Sequence, residues 1–345
     1  MITRSQSHFE LDAAFCSLLE GQTLNKKSAR HVFDSLFQSS IAHSQIRAIL
    51  ILLANRGESV DELIAAWNAI RQAEQNSIRR VPYTLDTCGT GGDGSHSINL
   101  STLSAIVMAA AGLRVLKHGN RAITSHCGSS DLLASFGFNL AQSPSRVIQT
   151  SQKTGFGYFH APHVHPIYSK FQTLRRTIQT RTLFNLLGPV LNPVAVDYQI
   201  LGLASEKFLP LYAKILPRIG RKSSLIFVGA QGMDELTTLG PSTGLQLEGK
   251  RSKKWTLKPH QLGFKKGRLS ELQIQSVAHA KKKTIEILKQ KKNSTAYDCV
   301  VLSAACGIMV AQKVSIQEGA ACAEKAIQSG RAWALLQQAV RLSKL

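Results

Sequence analysis

A glycine-rich run at residues 86–94, Asp-Thr-Cys-Gly-Thr-Gly-Gly-Asp-Gly, constrains the fold and chemistry of this chain more than any other segment. Its glycines let the backbone adopt positive φ angles and approach a ligand closely, so that several N–H groups can converge on one oxyanion. The run predicts a phosphate-binding loop. A glycine-rich run without further support is more often only a turn, so the flanking residues decide between the two interpretations.

The flanking residues favour the phosphate loop. Residues 81–86 resemble a short strand, and residues 101–113 are apolar, alanine-rich and of helical length; this order directs backbone donors and a helix dipole at an anion. The spacing fits neither the dinucleotide fingerprint nor the G-x-x-x-x-G-K-[ST] loop. Because Asp93 would repel a bare phosphate, we expect it to contact ligand hydroxyls or metal-bound water, which indicates a sugar phosphate with Mg²⁺.

The composition is that of a globular protein. The chain has 345 residues, of which 43% are hydrophobic and 18% charged, and we expect no apolar run of the roughly 18 residues that span a bilayer. The N-terminal segment lacks the apolar stretch of a signal peptide, so we expect a cytoplasmic protein without a membrane partner. The six cysteines form no C-x-x-C pair and are expected to be free thiols.

The formal net charge of +21 is unusually high, and lysine pairs and triplets such as residues 253–254 and 281–283 lie away from the glycine-rich run. A positive field favours anionic substrates. A solvated basic face is one explanation for the remaining charge. Weak, salt-sensitive attraction of nucleic acid is the other.

The periodicity predicts two domains. Residues 9–20, 27–38, 44–55 and 60–74 have helical apolar spacing. From residue 81 onward, short β-rich runs alternate with helical stretches, which is typical of an α/β domain with a mostly parallel sheet. We therefore expect a small helical domain at residues 1–78 and a larger α/β domain at 79–345. Residues 248–267 are expected to form a loop or exposed hairpin, and late helices return to the core.

Several further motifs follow in a fixed order. They are Asn99-Leu100-Ser101-Thr102, then Lys117-His118-Gly119-Asn120-Arg121, residues 159–166 (FHAPHVHP), residues 181–189 (RTLFNLLGP) and Gly232-Met233-Asp234-Glu235. In order and spacing, residues 18–336 resemble the anthranilate phosphoribosyltransferase family.

The resemblance implies the nucleoside phosphorylase and phosphoribosyltransferase class of fold, with ligands bound in the cleft between a helical and an α/β domain. It also implies transfer of a phosphoribosyl group from phosphoribosyl pyrophosphate to the amine of anthranilate, an early reaction of tryptophan biosynthesis. A homodimer formed through the helical domain is implied by analogy. Phe9, Leu18, Leu19 and Phe33 suit either that interface or the core.

The resemblance also assigns roles to individual residues. Ser101 would ligate one Mg²⁺, and Asp234 with Glu235 a second, while Gly89, Asn120 and Arg175 would bind anthranilate, with Arg175 on its carboxylate. No residue is expected to be an obligatory acid or base, because an aromatic amine is nucleophilic when neutral. The residues assigned to phosphoribosyl pyrophosphate are Gly89, Gly92, Asp93, Ser97, Asn99, Leu100, Ser101, Thr102, Lys117, His118, Gly119, Asn120, Arg121, Ser125 and Ser129.

Two other functions are compatible with the sequence. A pyrimidine nucleoside phosphorylase shares the fold and would use phosphate and a nucleoside. A non-catalytic relative would bind nucleic acid through its basic surface. The motifs favour the transferase, although Ser303 and His260 depart from the family pattern, which has Asn and an acid there. His118 and His165 are more often packing or hydrogen-bonding residues than proton carriers in such settings.

Overall fold

The fold was analysed in a computed structural model, which describes residues 4–37, 41–74, 80–122, 125–171, 174, 177–178, 181–289 and 294–345. It divides into two compact units. The first comprises Met1–Ser77 and His165–Leu191, and the second Ile78–Val164 and Asn192–Leu345.

The first unit is helical. Its helix α4 begins with a capping box, in which Ser59 accepts a hydrogen bond from the Glu62 backbone N–H and Glu62 accepts one from that of Ser59. Phe33, Leu50 and Leu63 are almost fully buried in its core. The N-terminal helices are α1 (Arg4–Leu19), α2 (Lys26–Phe37), α3 (His43–Arg56) and α4 (Val60–Ala73).

Residues 165–191 also belong to this helical unit. His165 Nδ1 lies 2.7 Å from Glu74 Oε2, and its Nε2 lies 2.6 Å from the Leu191 carbonyl oxygen. The Trp67 indole donates to the Val190 carbonyl at 3.0 Å. The expected boundary between residues 78 and 79 did not assign this segment to the helical unit. His165 has a hydrogen-bonding role here, one of the two roles expected for it.

Two of the apolar residues considered for a dimer interface are core residues. Leu18 and Phe33 are 3% and 0% exposed, whereas Leu19 is 60% exposed. The Phe9 side chain lies outside the described residues. Burial therefore removes Leu18 and Phe33 from any interface between copies of the chain.

The second unit is built on a mostly parallel sheet, as expected. Among the described residues, seven strands lie in the order β3-β2-β1-β4-β5-β6-β7. The first five are parallel, and β6 and β7 form an antiparallel hairpin at one edge. The strands are β1 (Thr84–Gly89), β2 (Arg114–Gly119), β3 (Phe156–His160), β4 (Tyr198–Gly202), β5 (Ser223–Val228), β6 (Ser242–Glu248) and β7 (Arg251–Leu257).

The helices of the second unit bury a large apolar core with the sheet. Leu103, Val107 and Met108 of α5 are fully buried in that core. The helices are α5 (Leu100–Ala110), α6 (Ser129–Ser135), α7 (Pro144–Thr154), α8 (Ala161–Val164), α10 (Leu209–Arg218), α11 (Leu269–Leu272), α12 (Val277–Leu288), α13 (Thr295–Gln312), α14 (Ile316–Gln328) and α15 (Arg331–Ser343), with α9 (Leu183–Leu187) in the helical unit.

Helix α13 corrects one expectation about the sequence. Thr295–Gln312 is long and apolar enough, by length and composition, to cross a bilayer, with a mean hydropathy of 1.4. However, 72% of it is buried inside the protein, where Val300, Val301 and Leu302 join the core. Its apolar character is therefore that of a core helix.

Candidate active site

The glycine-rich run lies at the carboxyl end of β1, at the edge where ligands bind in open α/β sheets. Gly91, Gly92 and Gly94 have φ angles of 69°, 78° and 70°, which favour glycine. Gly89 is required for a different reason, because a Cβ atom there would lie 2.1 Å from Asp234 Oδ2. The loop therefore depends on glycine for its conformation and for its approach to Asp234.

Local hydrogen bonds and contacts with Gln273, late in the chain, hold the glycine loop in place. The Asp93 carboxylate accepts hydrogen bonds at 2.9 Å from the Ser95 N–H and hydroxyl. Ser97 forms a β-bridge with Gln273, whose side-chain amide donates to the Ser95 carbonyl at 3.3 Å. Ser97 thus supports the loop through its backbone, while its hydroxyl oxygen lies 3.2 Å from that of Ser95.

Helix α5 begins directly after the loop. Leu100, Ser101 and Thr102 form its first turn, where backbone N–H groups and the helix dipole favour an anion. Asn99 Oδ1 and Thr102 Oγ1 are buried and have no hydrogen-bond partner within the described parts of the chain. Buried polar atoms are nearly always satisfied, so two such atoms at one helix end indicate a place for a polar ligand.

Asp234 and Glu235 face the glycine loop and the start of α5. The Gly91 N–H donates to Asp234 Oδ2 at 2.6 Å, and the Ser101 N–H donates to Glu235 Oε1 at 3.1 Å. The Asp234 N–H in turn contacts Asp93 Oδ2 at 3.4 Å. Three acidic residues from two distant segments are therefore joined in one hydrogen-bonded cluster.

Burial and mutual repulsion disfavour the ionised form of these carboxylates unless a cation is bound. Burial raises the pKa of Asp234 well above its usual range, and the charges of Glu235 and Asp93 add to the rise. Burial also raises the pKa of Glu235 to about 7, although the Ser101 N–H and the Lys117 ammonium oppose it. A divalent cation would relieve both effects.

The donor set fits a hard cation such as Mg²⁺. Asp234, Glu235 and the Ser101 hydroxyl supply oxygen atoms, which Mg²⁺ prefers. No group of three His, Cys, Asp or Glu side chains converges on one point within the described residues. Mg²⁺ commonly retains several waters and takes the rest of its ligands from a substrate phosphate, so a two-carboxylate site of this kind is sufficient.

Lys117, near the end of β2, points into the protein. It is 2% exposed, and its ammonium donates to the Thr87 carbonyl and, at 3.3 Å, to the Ser101 hydroxyl. The contact with phosphate that the sequence suggests stays a prediction. The structure shows Lys117 as a buried cation beside Ser101 that also interacts electrostatically with Glu235.

A second loop leaves β2 at Gly119. Asp131 closes it by accepting bonds from the Ala122 N–H at 2.9 Å, the Gly128 N–H at 3.0 Å and the Arg121 guanidinium at 2.8 Å. These donors hold the pKa of Asp131 below its usual value despite partial burial. Arg121 is therefore already paired, and Ser125 is exposed on the same loop.

A side-chain hydrogen-bond network around Tyr158, which the sequence did not reveal, supports this loop. The Tyr158 hydroxyl lies 2.6 Å from the Ser130 hydroxyl and 3.1 Å from that of Ser129. Ser130 also lies 2.8 Å from His160 Nδ1. Burial, with the nearby cationic charge of Arg121, lowers the pKa of His160, which favours the neutral imidazole. A Cβ at Gly119 would lie 2.7 Å from the Tyr158 hydroxyl, so the network also depends on that glycine.

The predicted residues fall into two groups in the second unit. Gly89, Asp93, Ser101, Asp234 and Glu235 are connected by the close contacts described above, whereas Asn120, Arg121 and Ser129 belong to the second loop. Within that loop, Asn120 accepts bonds through its carbonyl oxygen from the Ser130 N–H and the Ser129 hydroxyl. His118 is buried, and its N–H donates to Asp86 at 3.2 Å. Arg175 lies outside the described residues.

Two glycines at the carboxyl ends of β4 and β5 are further site residues that sequence reasoning missed: Gly202 is the last residue of β4, and Gly229 directly follows β5. A Cβ at Gly202, the last residue of β4, would lie 1.7 Å from the Asp234 carbonyl oxygen. A Cβ at Gly229 would lie 2.1 Å from that of Glu235. Both glycines therefore let the Asp234–Glu235 segment reach the sheet.

Family models match both parts of the chain. The description "Glycosyl transferase family, helical bundle domain" matches residues 14–73, and "Glycosyl transferase family, a/b domain" matches residues 82–333. The shared arrangement of a helical domain and an α/β domain agrees with the expected fold class.

Individual proteins agree with these matches. The chain is 34% identical to an anthranilate phosphoribosyltransferase of Halalkalibacterium halodurans, over 90% of this chain and 92% of that protein. It is 36% identical to one of Azospirillum brasilense, over 99% and 97%.

Solved structures of this enzyme are also similar. That from Thermus thermophilus is 34% identical with a TM-score of 0.88 and covers 96% of this chain and 99% of its own. That from Saccharomyces cerevisiae, in complex with phosphoribosyl pyrophosphate and Mg, is 25% identical with a TM-score of 0.86 and covers 99% of both chains. By identity, coverage and the motifs described above, this chain belongs to the anthranilate phosphoribosyltransferase family.

Proposed function

We propose that this protein transfers the phosphoribosyl group of phosphoribosyl pyrophosphate to the amine of anthranilate, releasing pyrophosphate, with Mg²⁺ as cofactor. The observation that carries the proposal is the Asp234–Glu235 pair, which is bonded to the Gly91 and Ser101 N–H groups. Asp234 is buried and Glu235 is partly buried. That arrangement joins a phosphate loop, a helix N-terminus and oxygen ligands for a hard cation in one place.

The leaving group lies in the glycine loop in this account. We assign the loop from Gly89 to Asp93 and the start of α5, with Asn99, Leu100, Ser101 and Thr102, to the pyrophosphate, because a helix N-terminus favours an anion. Breaking the bond to the ribose carbon leaves negative charge on the pyrophosphate and oxocarbenium character on the sugar. Donors fixed in advance toward the developing charge lower the barrier.

Asp234, Glu235 and Ser101 are the residues that hold Mg²⁺ in this proposal, with two ions per site as its finer part. Bound Mg²⁺ neutralises charge on the departing pyrophosphate. The yeast relative has been solved with phosphoribosyl pyrophosphate and Mg, which supports the use of this metal here. Lys117 keeps the Ser101 hydroxyl in place and supplies positive charge beneath the cluster.

The second loop holds the rest of the donor substrate. We assign Gly119, Asn120, Arg121, Ser125 and Ser129 to this role, with the loop fixed by Asp131 as described. We also assign His118, which lies near the end of β2, to the binding of phosphoribosyl pyrophosphate.

Anthranilate binding is assigned to Gly89, Asn120 and Arg175. A guanidinium recognises a carboxylate through paired hydrogen bonds, which is the role proposed for Arg175. The neutral amine already carries a lone pair, so positioning it against the ribose carbon replaces a strong base. The yeast enzyme has also been solved in complex with 4-fluoroanthranilate, which supports an aromatic amine as the acceptor.

A cytoplasmic homodimer is the remaining part of the proposal. Leu19 and Ile51 are exposed by 60% and 42% on the helical unit, and apolar side chains of this size suit a contact between two copies. All six cysteines are free thiols, which agrees with a reducing compartment.

The proposed function is tested by the loss of anthranilate fluorescence on addition of phosphoribosyl pyrophosphate, with and without Mg²⁺. We expect turnover that needs both and disappears in Asp93→Asn. Phosphorolysis of uridine or thymidine serves as the comparison reaction. Uridine cleavage without anthranilate consumption would instead assign the protein to the nucleoside phosphorylases.

A further inference from the structure

The sheet of the second unit carries a basic surface at the edge opposite the glycine loop. The amino ends of β1, β4 and β5 meet the β6–β7 turn there. We call this surface the basal edge and define it by Arg80, Tyr83, Lys222, Lys250 and Arg251. The transferase reaction uses none of these residues.

Backbone and side-chain hydrogen bonds make the basal edge continuous. The Tyr83 N–H donates to Asp197 Oδ2 at 2.8 Å, and the Lys222 N–H donates to the Asp197 carbonyl at 2.7 Å. The Gly249 N–H, in the turn before Lys250, donates to the Lys222 carbonyl at 2.8 Å. Residues far apart in sequence therefore form one ordered surface.

Tyr83 is the most exposed aromatic side chain of the described residues, at 73%. Its φ angle is 57°, in the left-handed region that bulky residues avoid. The bond to Asp197 holds this conformation, and the Lys222 ammonium lies 5.6 Å from the ring centroid. Strained backbone of this kind clusters at functional sites, and here it presents an aromatic ring to solvent beside a cation.

The basal edge is rich in positive charge. Asp197 is buried and pairs with Arg80 and Lys222, each of which has a side chain 52% exposed. Lys250 and Arg251 are exposed, and neither has an ion-pair partner among the described residues. Glu248, the acid at the β6–β7 turn, pairs with Lys313 at 3.4 Å.

Basic residues continue along β7, the outer strand of the sheet. Lys253 and Lys254 are exposed and follow Arg251 on this strand. Lysine on an edge strand protects a sheet against pairing with other chains. That protection accounts for lysines on β7 but not for a strained, exposed tyrosine at the opposite end of the basal edge.

We propose that the basal edge binds single-stranded nucleic acid. A row of cations that follows a phosphate backbone, with an exposed aromatic ring on which a base stacks, is the arrangement that single strands require. A duplex keeps its bases stacked on one another and cannot use Tyr83 in this way. The proposal does not depend on the transferase activity, which lies at the other edge of the sheet.

The test is fluorescence anisotropy of labelled oligouridylate about 16 nucleotides long, titrated with the purified full chain over a range of salt concentrations. Tyr83→Asn removes the ring with a residue that tolerates positive φ, and we expect about tenfold weaker binding with an unchanged salt dependence. The double variant Lys250→Glu, Arg251→Glu should bind about a hundredfold more weakly. The slope of log binding constant against log salt concentration should become about 1.4 less steep in this variant.

The matched control carries the same charge change elsewhere. Lys282→Glu with Lys325→Glu alters two exposed helical lysines, and we expect less than about a threefold effect if location matters more than net charge. Equal losses in the two double variants would overturn the proposal. So would wild-type affinity in Tyr83→Asn, equal binding of a duplex, or displacement of the RNA by polyglutamate at equal charge concentration.

Discussion

The Asp234 carboxylate occupies the space that a side chain at Gly89 would need. A Cβ atom at Gly89 would lie 2.1 Å from Asp234 Oδ2 and 3.2 Å from the Asp234 carbonyl oxygen. The glycine loop and the acidic pair are therefore packed directly against each other, and a side chain at Gly89 would displace Asp234.

Gly89→Ala should therefore damage catalysis more than folding. The new methyl group displaces Asp234 by about an ångström, and such a misplacement costs roughly a hundredfold in rate. Anthranilate turnover at saturating substrates measures the effect. Gly188→Ala is the control, because Gly188 has a helical φ of −42° and nothing within 4 Å of its Cβ position. Similar rates in the two variants would contradict this account.

Lys117→Met should raise the Mg²⁺ concentration needed for half-maximal turnover. The ammonium bonds the Ser101 hydroxyl and lies in the field of Glu235. Its loss leaves the Thr87 carbonyl and the Ser101 hydroxyl without their donor, which misplaces a proposed Mg²⁺ ligand and lowers the free energy of unfolding by about 2 kcal/mol. Urea unfolding and the Mg²⁺ dependence of turnover measure the two effects. If Lys117 serves only to contact phosphate, the Michaelis constant for phosphoribosyl pyrophosphate will rise and the Mg²⁺ dependence will not change. The control is Lys214→Met, because Lys214 is exposed.

Asp131→Asn should loosen the second loop in a pH-dependent way. The bonds from Ala122, Gly128 and Arg121 lower the pKa of Asp131 in the folded protein, so its stabilisation is complete above the unfolded value of about 3.9 and is lost as the pH falls through the lower folded value. Urea midpoints should show wild type more stable by about 1 kcal/mol at neutral pH. This difference should vanish in strong acid; a constant difference at all pH values would argue against an ionised Asp131.

Tyr158→Phe should weaken substrate binding without unfolding the protein. The variant keeps the ring in the core but removes the hydroxyl that lies near Ser129 and Ser130. One hydrogen bond of about 1 kcal/mol corresponds to roughly a fivefold change, which we expect in the Michaelis constant for phosphoribosyl pyrophosphate. An unchanged constant would show that the network does not position the second loop.

Local sequence patterns predicted most of the fold. The apolar spacing at residues 27–38 and 60–74 corresponds to α2 and α4, and the short β-rich run at 198–203 corresponds to β4. A hairpin is present, but it spans β6 and β7, so that only its turn and β7 fall within the predicted segment 248–267. These elements are fixed by periodicity and turn residues, which a single sequence records.

Long-range contacts were not predictable in the same way. Nothing near Gly202 indicates that the Asp234 carbonyl approaches it, because that contact joins segments distant in sequence. The return of residues 165–191 to the helical unit depends on bonds such as that between His165 and Glu74. The strand that carries Tyr158 was missed because its short, mostly buried run does not alternate between apolar and polar residues.

Ser303 shows how a departure from the family pattern is accommodated. Its hydroxyl donates to the Leu236 carbonyl at 3.3 Å, directly after Glu235. A smaller side chain than the family's Asn therefore still anchors the acidic segment. The sequence identified the substitution, but only the structure shows the bond.

The central claim is that Asp234 and Glu235 bind Mg²⁺ at the glycine loop. The most direct test is the initial rate of anthranilate consumption as a function of Mg²⁺ concentration, in wild type and in Glu235→Gln. This variant keeps the size of the side chain and removes its charge. We expect half-maximal turnover in Glu235→Gln to require at least about tenfold more Mg²⁺ than in wild type. Identical Mg²⁺ dependence in the two proteins would contradict it.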